Sequence, residues 1–260
     1  MTSLVDIRYE EKGIALVTLN RPDAANALST ELLHCLVEGL DELKRDSNLR
    51  TVIITGAGEK AFCAGADLKE RAGMNDDKVK ETVKLIGDTI TTVENLPVPV
   101  IAAINGSAFG GGLELALACD IRIASDTAKV GLTETSLGII PGAGGTQRLP
   151  RIVGMPTAKE LIYTARRLDA KTAHALKIIS HVYSPQQLLE EAKKLAKEIA
   201  VNAPLALRAA KAAINQGAET DLKTGLQIEN DCYQTTLKTL DRLEGLSAFK
   251  EKRKPVYRGQ

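Results

Sequence analysis

The chain has 260 residues, 44% of them apolar, and a formal net charge of +1. That fits one large domain, or a domain with a helical appendage, and a sizeable core. Tryptophan is absent and aromatics make up 3%, so no stacking platform for single-stranded nucleic acid is expected, and the balanced charge gives no general pull toward nucleic acid or an anionic membrane.

Val5 to Glu10 and Ile14 to Leu19 alternate like paired strands about a turn at Gly13. Asn20-Arg21-Pro22-Asp23 ends them. Ser29 is placed to cap a helix running to about Arg45, with Leu32, Leu33, Leu36, Leu40 and Leu43 on its inner face. Thr51 to Thr55 is a short apolar strand, and Lys60 to Lys69 follows as strand, turn and helix start. A helix is predicted over Asp76 to Asn95, stopped by Pro97 and Pro99, and then a buried strand over Val100 to Ile104. Three glycines lead into a short apolar helix ending at Cys119, followed by a strand over Asp120 to Ala124. Thr133 to Thr146 is glycine-rich loop and helical turns. Helices are predicted at about 157–165, 170–176, 185–200, 204–216, 221–237 and 239–248, with a brief strand near 178–183. Strand–helix alternation followed by helices argues an α/β fold with a C-terminal helical region.

The four cysteines, Cys35, Cys63, Cys119 and Cys232, form no CxxC pair and are expected to be buried thiols in a reducing compartment. His34, His174 and His181 make no ligand pattern, so no metal site is expected. The segment Met1 to Ile7 has no basic region or long apolar run. No leader or membrane span is therefore expected, and the chain reads as cytoplasmic, although a mature organellar form would look the same.

Chemistry concentrates in Gly110-Gly111-Gly112-Leu113-Glu114 and in Glu134. Unpaired N–H groups where a helix opens near Gly111 can polarise a carbonyl oxygen, and two carboxyl groups can move protons beside it. The plain alternatives are a tight turn for the glycines, a first-turn helix acid for Glu114 and a solvated loop acid for Glu134. Against them, Glu114 lies on a helix that is apolar nearly all round, where a carboxylate is costly without a partner or a task. Cys63-Ala64-Gly65-Ala66-Asp67-Leu68 is a second small-residue turn. It could free another N–H, from Ala66, or be an ordinary connector. Gly142-Ala143-Gly144-Gly145-Thr146 has Gln147 where a dinucleotide loop needs its last glycine, and it lacks a P-loop lysine, so it is not taken as a nucleotide site.

Together these segments resemble the enoyl-CoA hydratase (crotonase) family. The matches are Asn20-Arg21-Pro22, Phe62 to Lys69, Ile101 to Leu115, Ile140 to Pro150 and Lys250 to Lys254, in order along essentially the whole chain. The chain looks most like the branch that holds 3-methylglutaconyl-CoA hydratases and plain bacterial enoyl-CoA hydratases. The resemblance implies a spiral of ββα units over residues 1–195 carrying the active site, and a C-terminal helical region over 196–260 that builds trimers, often paired into hexamers. It implies an oxyanion hole from the N–H groups of Ala66 and Gly111. Ala66, Asp67, Leu68 and Lys69 would bind substrate, with Ala64 near the adenine. Glu114 would activate water and Glu134 would deliver the proton. Lys252 would reach the CoA phosphate of a neighbouring subunit, or belong to a solvated charge run. No cofactor is implied, because CoA is part of the acyl-CoA thioester substrate.

Keeping both glutamates favours hydration over isomerisation, since the family's isomerases usually lack the first acid. The alternatives are a methylglutaconyl-CoA hydratase and an enoyl-CoA isomerase. A serine hydrolase using Ser107 lacks a GxSxG setting. The RNA-binding relatives carry a comb of lysines where this chain has Thr30, His34 and Glu38, so RNA binding is not expected.

Overall fold

The computed structural model describes residues 3–260. Met1 and Thr2, at the head of the segment searched for a leader, lie outside the described residues. The elements run β1 (Val5–Glu10), β2 (Ile14–Leu19), α1 (Thr30–Arg45), β3 (Thr51–Gly56), β4 (Ala61–Cys63), α2 (Leu68–Arg71), α3 (Asp76–Glu94), β5 (Val100–Ile104), β6 (Ser107–Phe109) and α4 (Gly111–Ala118). They continue as β7 (Ile121–Ser125), β8 (Lys129–Gly131), α5 (Gly145–Val153), α6 (Met155–Tyr163), β9 (Leu168–Asp169), α7 (Ala170–Ala175), β10 (His181–Tyr183), α8 (Pro185–Ala200), α9 (Pro204–Gly217), α10 (Leu222–Thr236) and α11 (Leu240–Glu251).

From β3 to β8, consecutive strands alternate between two sheets. One has the order β1-β2-β3-β5-β7-β10 and the other β4-β6-β8-β9. Three times the chain lays a strand in the first sheet, a short strand in the second, and then helical structure. This is the expected spiral of ββα units. From β2 to β10 the first sheet is parallel, and β4, β6 and β8 are parallel in the second.

All residues of β3 and β5 are buried, as a parallel sheet covered on both faces requires. Their side chains alternate between two cores. Val52, Ile54, Val100 and Ala102 join the large core with α1 and α3, whereas Ile53, Ile101 and Ala103 meet Leu188, Ala192, Ala196 and Ala200 of α8. α1 forms as predicted: Ser29 Oγ accepts from Leu32 N at 3.3 Å, and all five leucines are buried. A domain boundary at residue 195 cuts through α8, whose sheet-packing stripe continues to Ala200. The change of packing falls after it.

Other expectations need correction. Strand β6 intervenes between Asn105-Gly106 and the glycines. Strand β8 and helix α5 also stand where none was predicted. Cys63 and Cys119 are buried, but Cys35 and Cys232 are only half-buried, and all four are free thiols. No helix among the described residues is long and apolar enough to cross a membrane.

Candidate active site

The second sheet builds the site. Its parallel strands β4, β6 and β8 end side by side, with Cys63 paired to Ala108 and Phe109 to Gly131. The three segments that leave those ends carry Ala66, Gly111 and Glu134. They converge on a cavity of about 660 Å³, at the carboxyl ends of the strands where parallel sheets commonly bind ligands.

Close backbone packing sets the geometry. A Cβ on Gly112 would fall 2.0 Å from the carbonyl oxygen of Cys63, so α4 can rest on β4 only with glycine there. Gly110, at φ +51°, turns the chain from β6 into α4, and a Cβ on it would lie 3.2 Å from Glu134 Oε1. The Ala66 nitrogen is 3.7 Å from where a Cβ of Gly111 would lie, so the two segments are neighbours. Neither the Ala66 nor the Gly111 N–H has an acceptor among the described residues, and both residues line the cavity. Gly111 also opens α4, adding the partial positive charge of a helix N-terminus.

Glu114 and Glu134 both line this cavity and are 2% and 9% exposed. Glu114 does not cap its own helix. Its Oε1 accepts from Ala143 N and from Gly145 N, each at 2.8 Å, which leaves Oε2 outside this clamp. Burial raises its pKa, while the Gly145 and Ala143 N–H groups and the charge of Arg148 pull the other way. Arg148 braces the clamp. Its guanidinium grips Glu94 at the end of α3 through Nε (3.0 Å) and Nη2 (2.6 Å), and Nη1 donates to the Ala143 carbonyl at 2.9 Å.

Glu134 sits at the start of a 3-10 turn over Glu134–Leu137. Its Oε2 is buried with no hydrogen-bond partner among the described residues. Burial pushes its pKa up to about 7, opposed by its own backbone N–H and reinforced by the charge of Glu114. The environments differ as acid–base chemistry needs: one carboxylate clamped by backbone amides, the other carboxyl unpartnered and holding a proton near neutrality.

Ala64, Ala66, Leu68, Gly111, Glu114 and Glu134 all line the cavity, whereas Asp67, Lys69 and Lys252 do not. Asp67 is occupied as the N-cap of α2. Its Oδ1 accepts from Lys69 N and Glu70 N, and its Oδ2 from Arg21 Nη1 at 2.5 Å. Against the cost of burial, Arg21 and those N–H groups hold the carboxyl below its ordinary range. Lys69 is exposed. Lys252 is an exposed left-handed residue that caps α11. Sequence reasoning missed the Ala143 and Gly145 amides, Arg148, and two cavity arginines, Arg71 and Arg167. The glycines around Ala143 were the available signal, but a test for phosphate loops alone could not show that they serve a carboxylate.

A profile described as enoyl-CoA hydratase/isomerase matches residues 9–260. Over 250 residues, covering 96% of each chain, the protein is 58% identical to a putative enoyl-CoA hydratase/isomerase, YngF, of Bacillus subtilis. It is 54% identical over 258 residues to mitochondrial methylglutaconyl-CoA hydratase of Homo sapiens, covering 98% of this chain and 76% of the human one. A crystal structure of an enoyl-CoA hydratase from Bacillus anthracis superposes with a TM-score of 0.98 at 54% identity, covering 99% of this chain and 100% of that chain.

Proposed function

The chain belongs to the enoyl-CoA hydratase/isomerase family, and from that premise we propose that it adds water across the C2–C3 double bond of a 2-enoyl-CoA to give a 3-hydroxyacyl-CoA. The observation that carries this reading is the pair of buried carboxyl groups facing one cavity with two unengaged backbone N–H groups.

The thioester oxygen lies against the N–H groups of Ala66 and Gly111. Glu114 takes a proton from a water whose oxygen bonds C3. The electron pair of the double bond moves to C2 and the carbonyl, and the resulting enolate oxygen is stabilised by the two amides, each donor contributing roughly 3–4 kcal/mol. Glu134, protonated near neutrality, gives its proton to C2. The net change is one water added, and Glu134 regains a proton from solvent as Glu114 releases one. Isomerisation would not need the clamped Glu114. Ala64, Leu68 and the exposed Lys69 follow the oxyanion turn along the ester, and Asp67 shapes that turn through its cap.

The acyl group has a second reading. Relatives named methylglutaconyl-CoA hydratase at 54% identity favour a branched acyl chain from branched-chain amino-acid breakdown over a plain fatty-acid ester. The assembly is read as a homotrimer or a pair of trimers, because α9 to α11 present Ile214, Leu226, Tyr233 and Phe249 uncovered. Lys252 would then reach the CoA phosphate bound by a neighbour. RNA binding is not part of the function.

Loss of ultraviolet absorbance from crotonyl-CoA tests the reaction directly. Absence of turnover with crotonyl-CoA and with branched enoyl-CoA esters would refute it. A gel shift with AU-rich RNA at near-physiological salt is expected to show no retarded band.

A further inference from the structure

The loop between β2 and α1 runs alongside both residues whose N–H groups are unengaged, Ala66 and Gly111. Its backbone pairs with the turn on either side of Ala66. Ala64 N donates to Ala25 O at 3.0 Å, Leu28 N to Gly65 O at 2.8 Å and Asp67 N to Leu28 O at 3.4 Å. Leu28 and Ala66 thereby form an isolated parallel bridge. In such a bridge one residue bonds the neighbours of the other, whose own N–H is turned away. Leu28 is the bonded residue, so the Ala66 N–H faces away from the loop, toward Gly111 and the cavity. The buried Leu28 side chain also lies against the second donor, since a Cβ on Gly111 would come 3.3 Å from its Cδ1.

Two side chains hold this loop in place. Asn26 is fully buried and left-handed at φ +54°, directly after Ala25 at φ +52°. Such backbone is rare outside glycine, and asparagine is among the residues that tolerate it best. The Asn26 amide is bonded to backbone at both ends. Oδ1 accepts from Arg21 N at 2.9 Å, and Nδ2 donates to Ala57 O at 3.0 Å and to Ala61 O at 2.8 Å. Ala57 follows β3 and Ala61 starts β4, the strand that delivers the Ala66 turn. A Cβ on Gly56 would come 2.6 Å from Nδ2, so glycine there makes room for the amide. Arg21 adds a strap across the gap: its Nη1 donates to Asp67 Oδ2 on the turn at 2.5 Å and to Ala27 O on the loop at 3.4 Å.

We propose that Asn26 and Arg21 are positioning residues for the oxyanion hole, holding the loop so that the Ala66 N–H stays free and aimed beside that of Gly111. Neither side chain lines the cavity, so both act through the backbone. This rests on the thioester reading of the cavity and deepens it. A donor that is slightly misplaced loses its hold on developing charge, while the ground-state ester is still bound by its other contacts.

Butyryl-CoA cannot be hydrated, and its isotopically labelled thioester carbonyl reports the hole by infrared difference spectroscopy of the full chain in its native assembly. The carbonyl stretch is expected at lower frequency bound than free, because two N–H donors polarise it. Asn26→Asp keeps the shape of the side chain and its acceptor but loses both donors. Arg21→Met removes the strap from a side chain that is 31% exposed. Each should shrink the shift and lower crotonyl-CoA kcat about 10- to 100-fold, with butyryl-CoA affinity nearly unchanged. Arg21→Lys should recover part of both. A full shift retained by a folded variant overturns the role of that residue even where turnover falls, because the residue would then serve folding alone. So does a loss of affinity in place of kcat. If Asn26→Asp loses its circular dichroism, Arg21→Met decides. An unaltered protein that fails to bind butyryl-CoA, or binds it with no shift, overturns the inference together with the thioester reading. One that shifts the carbonyl but turns over no enoyl-CoA loses the hydratase reading and keeps the inference.

Discussion

Strands β3 and β5 bury every residue, whereas α10 buries none and α9 buries only Pro204. The C-terminal helices are tied to the spiral by polar links. Lys211 of α9 bonds Asp120 at 2.8 Å, and Arg50 donates to the carbonyls of Ala200 and Tyr257. Their apolar side chains point elsewhere, with Phe249 87% exposed and Leu222 79% exposed. The spiral closes its own core and places two carboxyl groups inside it. The helices leave their hydrophobic surface uncovered. On the proposed reading, chemistry and assembly reside in separable parts of one chain.

The sharpest way to break that contrast is within the spiral. Glu114→Gln and Glu134→Gln should each lower crotonyl-CoA hydration about a thousandfold, with butyryl-CoA binding retained. Near-normal turnover in either variant would remove the assigned acid–base pair. Next in size, Arg148→Met should lower kcat about 10- to 100-fold with a small change in KM, because it frees the Ala143 turn that clamps Glu114. An equal loss of helical circular dichroism would make the residue merely structural.

In the proposed mechanism, hydration also draws on the proton of Glu134, whose pKa burial pushes up to about 7. Its kcat/KM should fall about tenfold per pH unit above that value, and a flat profile from pH about 6 to 9 would contradict the role. On the helical side, Phe249→Asp should leave the circular dichroism of the spiral intact and lower the assembly state in sedimentation. An unchanged sedimentation coefficient would mean that the exposed stripe is not the interface.

The smallest effect is on stability. Glu134 has a folded pKa above its ordinary 4.5, so the folded state holds the proton more tightly. The carboxyl therefore costs stability progressively as pH rises from that ordinary value through about 7, and costs nothing extra below it. Glu134→Gln should gain about 1–3 kcal/mol at pH about 8 and little at pH about 4, measured by thermal unfolding. Equal gains at both values would break the linkage.

Sequence periodicity was sufficient where burial is one-sided and long. The leucine stripe of α1 and the apolar run of β5 stand as predicted. It failed for β6 and β8, three residues each, because so short a strand has no pattern apart from its neighbours in the sheet. It failed for α5 because glycine at the start and Pro150 inside mask a helix that tertiary packing supports. The site was legible in Gly111 and Glu114, which share one segment. Glu134 taken alone carried little local signal and was singled out only beside the glycine-rich segments, since its placement depends on β8 ending beside β6. Arg71 was silent for the same reason: only folding shows that it faces a cavity while its acidic neighbours face away.

With Oε1 of Glu114 fixed by two amides, a water can be held only through the other oxygen, and so from one direction. In the proposed hydration, a flat alkene whose carbonyl is held at Ala66 and Gly111 would expose a single face to that water. The new stereocentre at C3 would then form with one handedness, set by peptide nitrogens at Ala143 and Gly145 that never touch it.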